Sequence, residues 1–237
     1  MIELRSVPET GSTNDDVAAL AADGAAEGLW LRADRQSGGK GRQGRAWASP
    51  PGNLYASTLV RIQPGDPSAA TLALVAAVAL HEAVAPLLPV PGPGGEGAVR
   101  IKWPNDLLVE GAKLAGILLE RRDDAVVIGF GVNLAGHPDL PDRPATSVAA
   151  LAGRAPAPHA FLTRLAPIFE RWLGRWRAEG LSPVREAWLA AAYALSTPLA
   201  AGEARGTFEG LDESGALRLR LPGGEVRLVH AGDVFLI

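Results

Sequence analysis

One run of glycines and cations, Ser37-Gly38-Gly39-Lys40-Gly41-Arg42-Gln43-Gly44-Arg45, with Pro50-Pro51-Gly52 close behind it, restricts this chain more than any other stretch. Glycine gives up the most backbone freedom on ordering, so the run predicts a mobile loop rather than a regular element. The same glycines let backbone N–H groups converge on an anion, and Lys40, Arg42 and Arg45 supply its counter-charge. The bland alternative is a flexible basic surface loop. Residues at and beyond the end of the run exclude the commonest phosphate folds. Gly39 to Gly44 fits a dinucleotide fingerprint, but that fingerprint must open a helix, and the paired prolines forbid one here. A phosphate loop of the Walker type needs Lys and then Ser or Thr where Arg45-Ala46 stand. No His-Arg-Asp or Asp-Phe-Gly tripeptide accompanies the loop, which excludes a kinase.

Composition narrows the chemistry further. The chain has 237 residues, enough for one large domain or a medium domain with a small appendage. A hydrophobic share of 47% supports a sizeable core, and a net charge of −3 argues against binding nucleic acid through phosphate neutralisation. The absence of cysteine excludes disulfides, thiolate metal sites and cysteine nucleophiles. His81, His137, His159 and His230 have no metal-ligand spacing. The first residues do not read as a signal peptide, and the apolar run Ala69–Leu80 is too short to cross a bilayer, so the expectation is a cytoplasmic protein with no membrane partner.

Periodicity gives a coarse map. Strands are expected over Ile2–Val7, Leu29–Ala33 and Asn53–Ile62, and again over Ala98–Trp103, Asp106–Val109, Lys113–Glu120 and Ala125–Val132. The short breaks in the second group predict antiparallel neighbours, with Glu110-Gly111 in a tight turn. Helices are expected after Ser12-Thr13-Asn14-Asp15, over Ser68–Leu88, and over Thr146–Leu151, His159–Glu179 and Pro183–Ala194. Trp172 and Trp176 on the long helix read as packing residues. From Thr197 the chain turns to short strands broken by glycines, which predicts a small β-barrel module.

Four segments besides the loop carry polar groups suited to a small, charged ligand. Lys102-Trp103-Pro104-Asn105-Asp106 sets a cation, an aromatic plane and a carboxylate around a proline-fixed bend. Lys113-Leu114-Ala115-Gly116-Ile117-Leu118 opens an apolar strand with one lysine, which alone would read as an edge-strand gatekeeper. Gly129-Phe130-Gly131-Val132-Asn133-Leu134 ends a strand in an amide, and Ser12-Thr13-Asn14 either caps a helix or hydrogen-bonds a polar molecule. Taken together and in this order, these segments resemble the biotin protein ligase family. The likeness runs from Ser12 to the C-terminus and includes Gly210-Leu211-Asp212-Glu213-Ser214-Gly215-Ala216-Leu217. Lys40 departs from the family's usual arginine, keeping the charge without the bidentate fork.

The resemblance implies an α+β fold. A mixed, mostly antiparallel sheet with flanking helices, a class II synthetase-like catalytic domain, would span 1–195, and an SH3-like β-barrel 196–237. It implies that biotin and ATP react to biotinyl-5′-AMP, and that biotin then passes to a lysine of a biotin carboxyl carrier domain. Mg²⁺ would arrive with ATP, and no tightly bound cofactor is implied. Lys113 would bridge the biotin carboxylate and the α-phosphate, with Arg42 holding the adenylate. Asp106 would bind Mg²⁺ or accept the acceptor lysine's proton. Ser12, Thr13, Asn14, Gln36, Lys40, Gly41, Arg42, Lys113, Gly116, Ile117 and Leu118 would contact biotin. Gly39, Lys40, Arg42, Arg45, Trp47, Lys102, Asn105 and Asn133 would contact ATP. The motif starting at residue 12 is expected to leave no room for a DNA-binding domain. A homodimer would form through an exposed sheet edge, for which Ala125–Val132 is the candidate. The rival readings are a lipoate or octanoate ligase or transferase of the same fold, and a biotin sensor without catalysis.

Overall fold

Strands β3 (Leu54–Arg61) and β7 (Ala125–Val132) are buried at nearly every position, as strands are where both faces are covered. The computed structural model, which describes residues 1–139 and 144–237, puts this pair at the centre of a seven-stranded sheet. The order is β1 (Glu3–Thr10), β2 (Leu29–Gln36), β3, β7, β6 (Ala112–Arg122), β5 (Asp106–Val109) and β4 (Val99–Lys102). Within this sheet only β1 and β2 run parallel. Parallel neighbours need a crossover, and helix α1 (Thr13–Ala22) provides it. Strands β4 to β7 are joined in sequence as antiparallel neighbours. Glu110 and Gly111, with φ of 48° and 81°, form the two-residue turn between β5 and β6, a backbone that suits the strands' twist.

Two expectations from the sequence change here. Ala125–Val132 is no sheet edge: β3 and β6 pair along both of its sides, so it offers nothing to a second copy. Lys113 is likewise on an inner strand, since β6 lies between β7 and β5.

Helix α1 covers one face of the sheet, where Val17 and Ala21 meet Leu31, Leu59 and Val127. The other face carries α2 (Leu72–Val84), α4 (Pro158–Glu179) and α5 (Ser182–Ala191), with the short α3 (Val148–Ala152) preceding α4. The segment Ala69–Leu87 is long and apolar enough by composition to cross a bilayer, further than the Ala69–Leu80 run suggests. In the fold its α-helical part is a core helix, with Leu72, Val75, Leu80 and Val84 fully buried. Trp172 and Trp176 pack as expected: Trp176 is buried and donates its indole N–H to Thr71 Oγ1 at 2.8 Å, and Trp172 donates to Glu82.

The C-terminal strands β8 (Pro198–Ala201), β9 (Ala204–Leu211), β10 (Leu217–Arg220), β11 (Val226–Val229) and β12 (Val234–Leu236) form a second antiparallel sheet in the order β11-β10-β9-β8-β12. It is not packed apart from the first. Phe208, Leu217, Leu219 and Val234 join the main core, Trp188 meets Phe208 edge-on at 6.3 Å, and Trp103 donates its indole N–H to Gly215 O. Just before β12, Gly232 and Asp233 accept hydrogen bonds from Arg42 and Arg45 of the glycine loop.

Candidate active site

The glycine loop has a definite shape of its own. Gly41 N–H bonds to Arg45 O, Trp47 N–H bonds to Gly39 O, and Arg42–Gly44 makes a single 3₁₀ turn. The loop folds as a small closed hairpin, whose left-handed corner falls on Gln43 (φ 56°) and Gly44 (φ 71°). Gly39 has a packing role within it. A Cβ there would lie 2.7 Å from Trp47 O and 3.0 Å from Gln36 Nε2.

The hairpin roofs a cavity of about 470 Å³, a usual size for a small-molecule site. Its floor and walls come from the start of α1, the end of β2, the bend before β5, and strands β6, β7 and β12. Every candidate residue named from the sequence lines this one cavity except Gly39, which sits behind it.

Its charges come in two clusters, and in each a carboxylate is outnumbered. Asp106 lies between Lys113 (2.7 Å) and Lys102 (3.4 Å). Asp233, on the turn into β12, lies between Arg45 (2.7 Å) and Arg42 (3.5 Å). The hydrogen bonds from Arg45 hold the Asp233 carboxyl below its ordinary range, against a smaller opposing effect of burial. Arg42 also donates to Gly232 O at 3.0 Å and Asn105 Oδ1 at 3.2 Å. The unmatched positive charge faces the cavity from two sides, an arrangement suited to two anionic groups on one ligand or on two. Lys40 points elsewhere. Its ammonium sits 2.7 Å from both oxygens of Asp15 on the surface, and that hydrogen bonding raises its pKa.

Asp106 is a poor start for a protein-held metal. Both of its oxygens face a lysine, and no group of three His, Cys, Asp or Glu able to hold a metal occurs among the described residues. The donor set fits a divalent ion only as one carried in on phosphate.

Trp47 lies over the bare backbone of Gly116 and Gly131. A Cβ at Gly131 would stand 2.6 Å from the indole, and one at Gly116 would meet both Trp47 and the Lys113 amine. Lys113 Nζ is 5.3 Å from the indole centroid, a cation–π contact. The space over Gly116 is thus occupied by Lys113 and Trp47, where the sequence suggested a ligand. Asn133 uses its amide N–H groups on Lys113 O and Thr146 O, fixing the entry to β6. Asn105 ties β6 from the other side through Ile117 O.

At the far end the expected helix caps are absent. Ser12 occupies the N-cap position of α1 but makes no side-chain cap bond. The Thr13 hydroxyl approaches Ser57 Oγ (2.7 Å) and Gln36 Oε1 (3.0 Å) instead. Asn14 lines the cavity but gives its amide to Ser57 and Glu120. Sequence reasoning missed Ser57, Glu120 and Asp233. A serine at the centre of an apolar strand was a signal for the first. Nothing local marks the other two, because their partners are 106 and 188 residues away in the chain.

Comparison with known proteins agrees with this geometry. Residues 12–133 match the Biotin/lipoate A/B protein ligase family, and residues 198–237 match the Biotin protein ligase C terminal domain. A biotin–[acetyl-CoA-carboxylase] ligase of Paracoccus denitrificans is 42% identical over 95% of this chain and 97% of its own. The Mycobacterium tuberculosis protein of the same name is 37% identical over 98% and 88%. In fold, the chain is similar to the biotin protein ligase from Aquifex aeolicus in complex with biotin and ATP, at a TM-score of 0.85, 23% identity and full coverage of both chains.

Proposed function

The chain belongs to the biotin protein ligase family, and we propose that it activates biotin with ATP and transfers it to a lysine of a biotin carboxyl carrier domain. The observation that carries this reading is the pair of two-to-one charge clusters facing one cavity. A carboxylate can attack a polyphosphate only where fixed cations offset the repulsion between them.

In the first step a biotin carboxylate oxygen bonds to the α-phosphorus, the bond from that phosphorus to the bridging oxygen breaks, and pyrophosphate leaves. Lys113 is the residue we assign to holding both anions together, with Lys102 beside it. Arg42 and Arg45 come from the opposite cluster and hold the adenylate phosphate under the roof of the hairpin, where Gly41 permits close approach. Trp47, Asn105 and Asn133 shape the nucleotide end. Ser12, Thr13 and Gln36 face biotin's ureido group, with Ile117 and Leu118 as apolar wall. Mg²⁺ belongs to the ATP complex in this scheme. In the second step the acceptor amine attacks the acyl carbon, AMP departs with the bond's electrons, and the amine gives up a proton. Asp106 is the carboxylate we assign to receiving it, since it stands beside Lys113 on the cavity wall.

The test is incubation with biotin, Mg·ATP and a carrier domain, read by mass spectrometry and by pyrophosphate release. Biotinyl addition to one lysine supports the reading. Pyrophosphate release with lipoate but not with biotin would replace it with the lipoate branch, and release of none with either would leave a sensor.

A further inference from the structure

Four buried or half-buried polar side chains form a single file from the cavity to the surface: Gln36, Thr13, Ser57 and Asn14, ending at Glu120 on the outer stretch of β6. Ser57 is fully buried, and Thr13 and Asn14 are nearly so. The direction of hydrogen bonding along the file follows from its two ends. A carboxylate only accepts, so the group 2.7 Å from Glu120 Oε2 is the Asn14 N–H₂, which turns Asn14 Oδ1 toward Ser57. Asn14 is seated against Gly129, so closely that even a methyl there would overlap Oδ1. Ser57 then gives its one proton to Asn14 Oδ1, at 2.6 Å. The 2.7 Å contact between Ser57 and Thr13 holds only if Thr13 donates. At the other end, Gln36 Oε1 accepts from the Thr13 backbone N–H at 2.8 Å, which fixes that amide too. Thr13 has one proton for two contacts, and the shorter one, to Ser57, takes it; Thr13 Oγ1 and Gln36 Oε1, 3.0 Å apart, then both present acceptor lone pairs on the cavity wall.

We propose that Glu120, a positioning residue outside the cavity, sets this direction through Asn14 and Ser57 and so makes Thr13 and Gln36 a paired acceptor for one ligand N–H. The inference rests on the cavity taking biotin, whose ureido ring supplies such an N–H. A dithiolane ring carries none, so the pair also selects against lipoate. With a glutamine at 120, the Asn14 amide can turn over, because the new side chain can donate to Asn14 Oδ1. Each proton in the file then reverses, Thr13 donates to Gln36, and the pair satisfies itself without a ligand.

The experiment measures Kd for biotin, and for the two carbamate analogues in which one ureido N–H is replaced by oxygen, using the full chain and its Glu120→Gln variant. Wild type should prefer biotin over one of the carbamates by a wide margin. In the variant, biotin should bind roughly tenfold more weakly, the loss of about one hydrogen bond, while that carbamate is nearly unaffected and the KM for ATP does not change. Ser57→Ala, which removes the middle member, should narrow the same ratio. An unchanged biotin-to-carbamate ratio in both variants overturns the relay, as does an equal loss on both ligands. Failure of the wild-type protein to bind biotin at all would instead count against the proposed function, which separates the two.

Discussion

Lys113 Nζ stands 2.7 Å from Asp106 Oδ1, on the strand that follows Asp106 across a two-residue turn. The amine is held in place by three neighbours at once: the carboxylate, the Trp47 ring and the glycine backbone at 116. A lysine so fixed loses little freedom when an anion replaces the carboxylate, which is the preorganisation that makes electrostatic stabilisation effective.

Lys113→Ala should therefore abolish most adenylation. Loss of a preorganised cation at developing charge typically costs on the order of 2–4 kcal/mol, a hundredfold or more in rate. The side chain is one-third exposed, so folding should survive. Pyrophosphate exchange, alongside a thermal melt, checks both halves. A folded variant with near-normal exchange would move the role to Lys102. Lys113→Arg should recover part of the activity at most, because the planar guanidinium does not fit the place of an ammonium.

Gly129→Ala tests the seat of Asn14. The added methyl overlaps Asn14 Oδ1, and the strand position leaves no other direction for it. Overpacking of this kind costs ~1–3 kcal/mol, so the melting temperature should fall and biotin affinity with it. A variant that melts and binds like the parent would show that Asn14 moves freely, which undermines the account of its two hydrogen bonds.

Acid should loosen the tie between the hairpin and the C-terminal sheet. Asp233 has a folded-state pKa below its ordinary 3.8, chiefly through hydrogen bonds from Arg45. A group whose pKa is lower in the folded state contributes stability above the unfolded value and loses it as pH falls through the folded one. Asp233→Asn should thus be less stable than the parent near neutrality, and the gap should close at a pH below the usual carboxylate range. Urea midpoints for both proteins from neutrality into acid give the comparison. A gap that persists unchanged at low pH would mean that charge on Asp233 is not what holds the tie.

The chain disclosed its chemistry more readily than its wiring. Local signals sufficed where cause and effect lie within a few residues: the Glu110-Gly111 turn, the antiparallel run from Val99 to Val132, and the packing of Trp176. They failed where distant segments decide. Whether Ala125–Val132 is an edge depends on β3, some 70 residues away, pairing with it. Ser12 has the residue type and the position of a helix cap, yet tertiary contacts on the next two residues take over the polar groups of that corner. Lys40 reads as a loop cation aimed at phosphate until α1 brings Asp15 beside it. In each case the residue type was right and its partner was invisible.

The last prediction separates synthesis of the adenylate from its retention, through Arg42→Gly. Arg42 reaches both Asn105 at the base of β5 and Gly232 before β12, so it closes the roof as well as charging it. If it also holds the adenylate phosphate, its removal takes away a charge-assisted hydrogen bond worth roughly 1.5–3 kcal/mol. At about 1.4 kcal/mol per factor of ten, the intermediate should escape some tenfold to hundredfold faster. Lys113 and Lys102 remain in the other cluster, so synthesis should fall much less than retention. The mixed anhydride reacts with any exposed amine, and escape should therefore appear as labelling of proteins that never dock. Incubating the variant with biotin, Mg·ATP and an unrelated lysine-rich protein reads this directly. If pyrophosphate release persists and the bystander stays unlabelled, Arg45, paired with the same Asp233, is the residue that retains the intermediate.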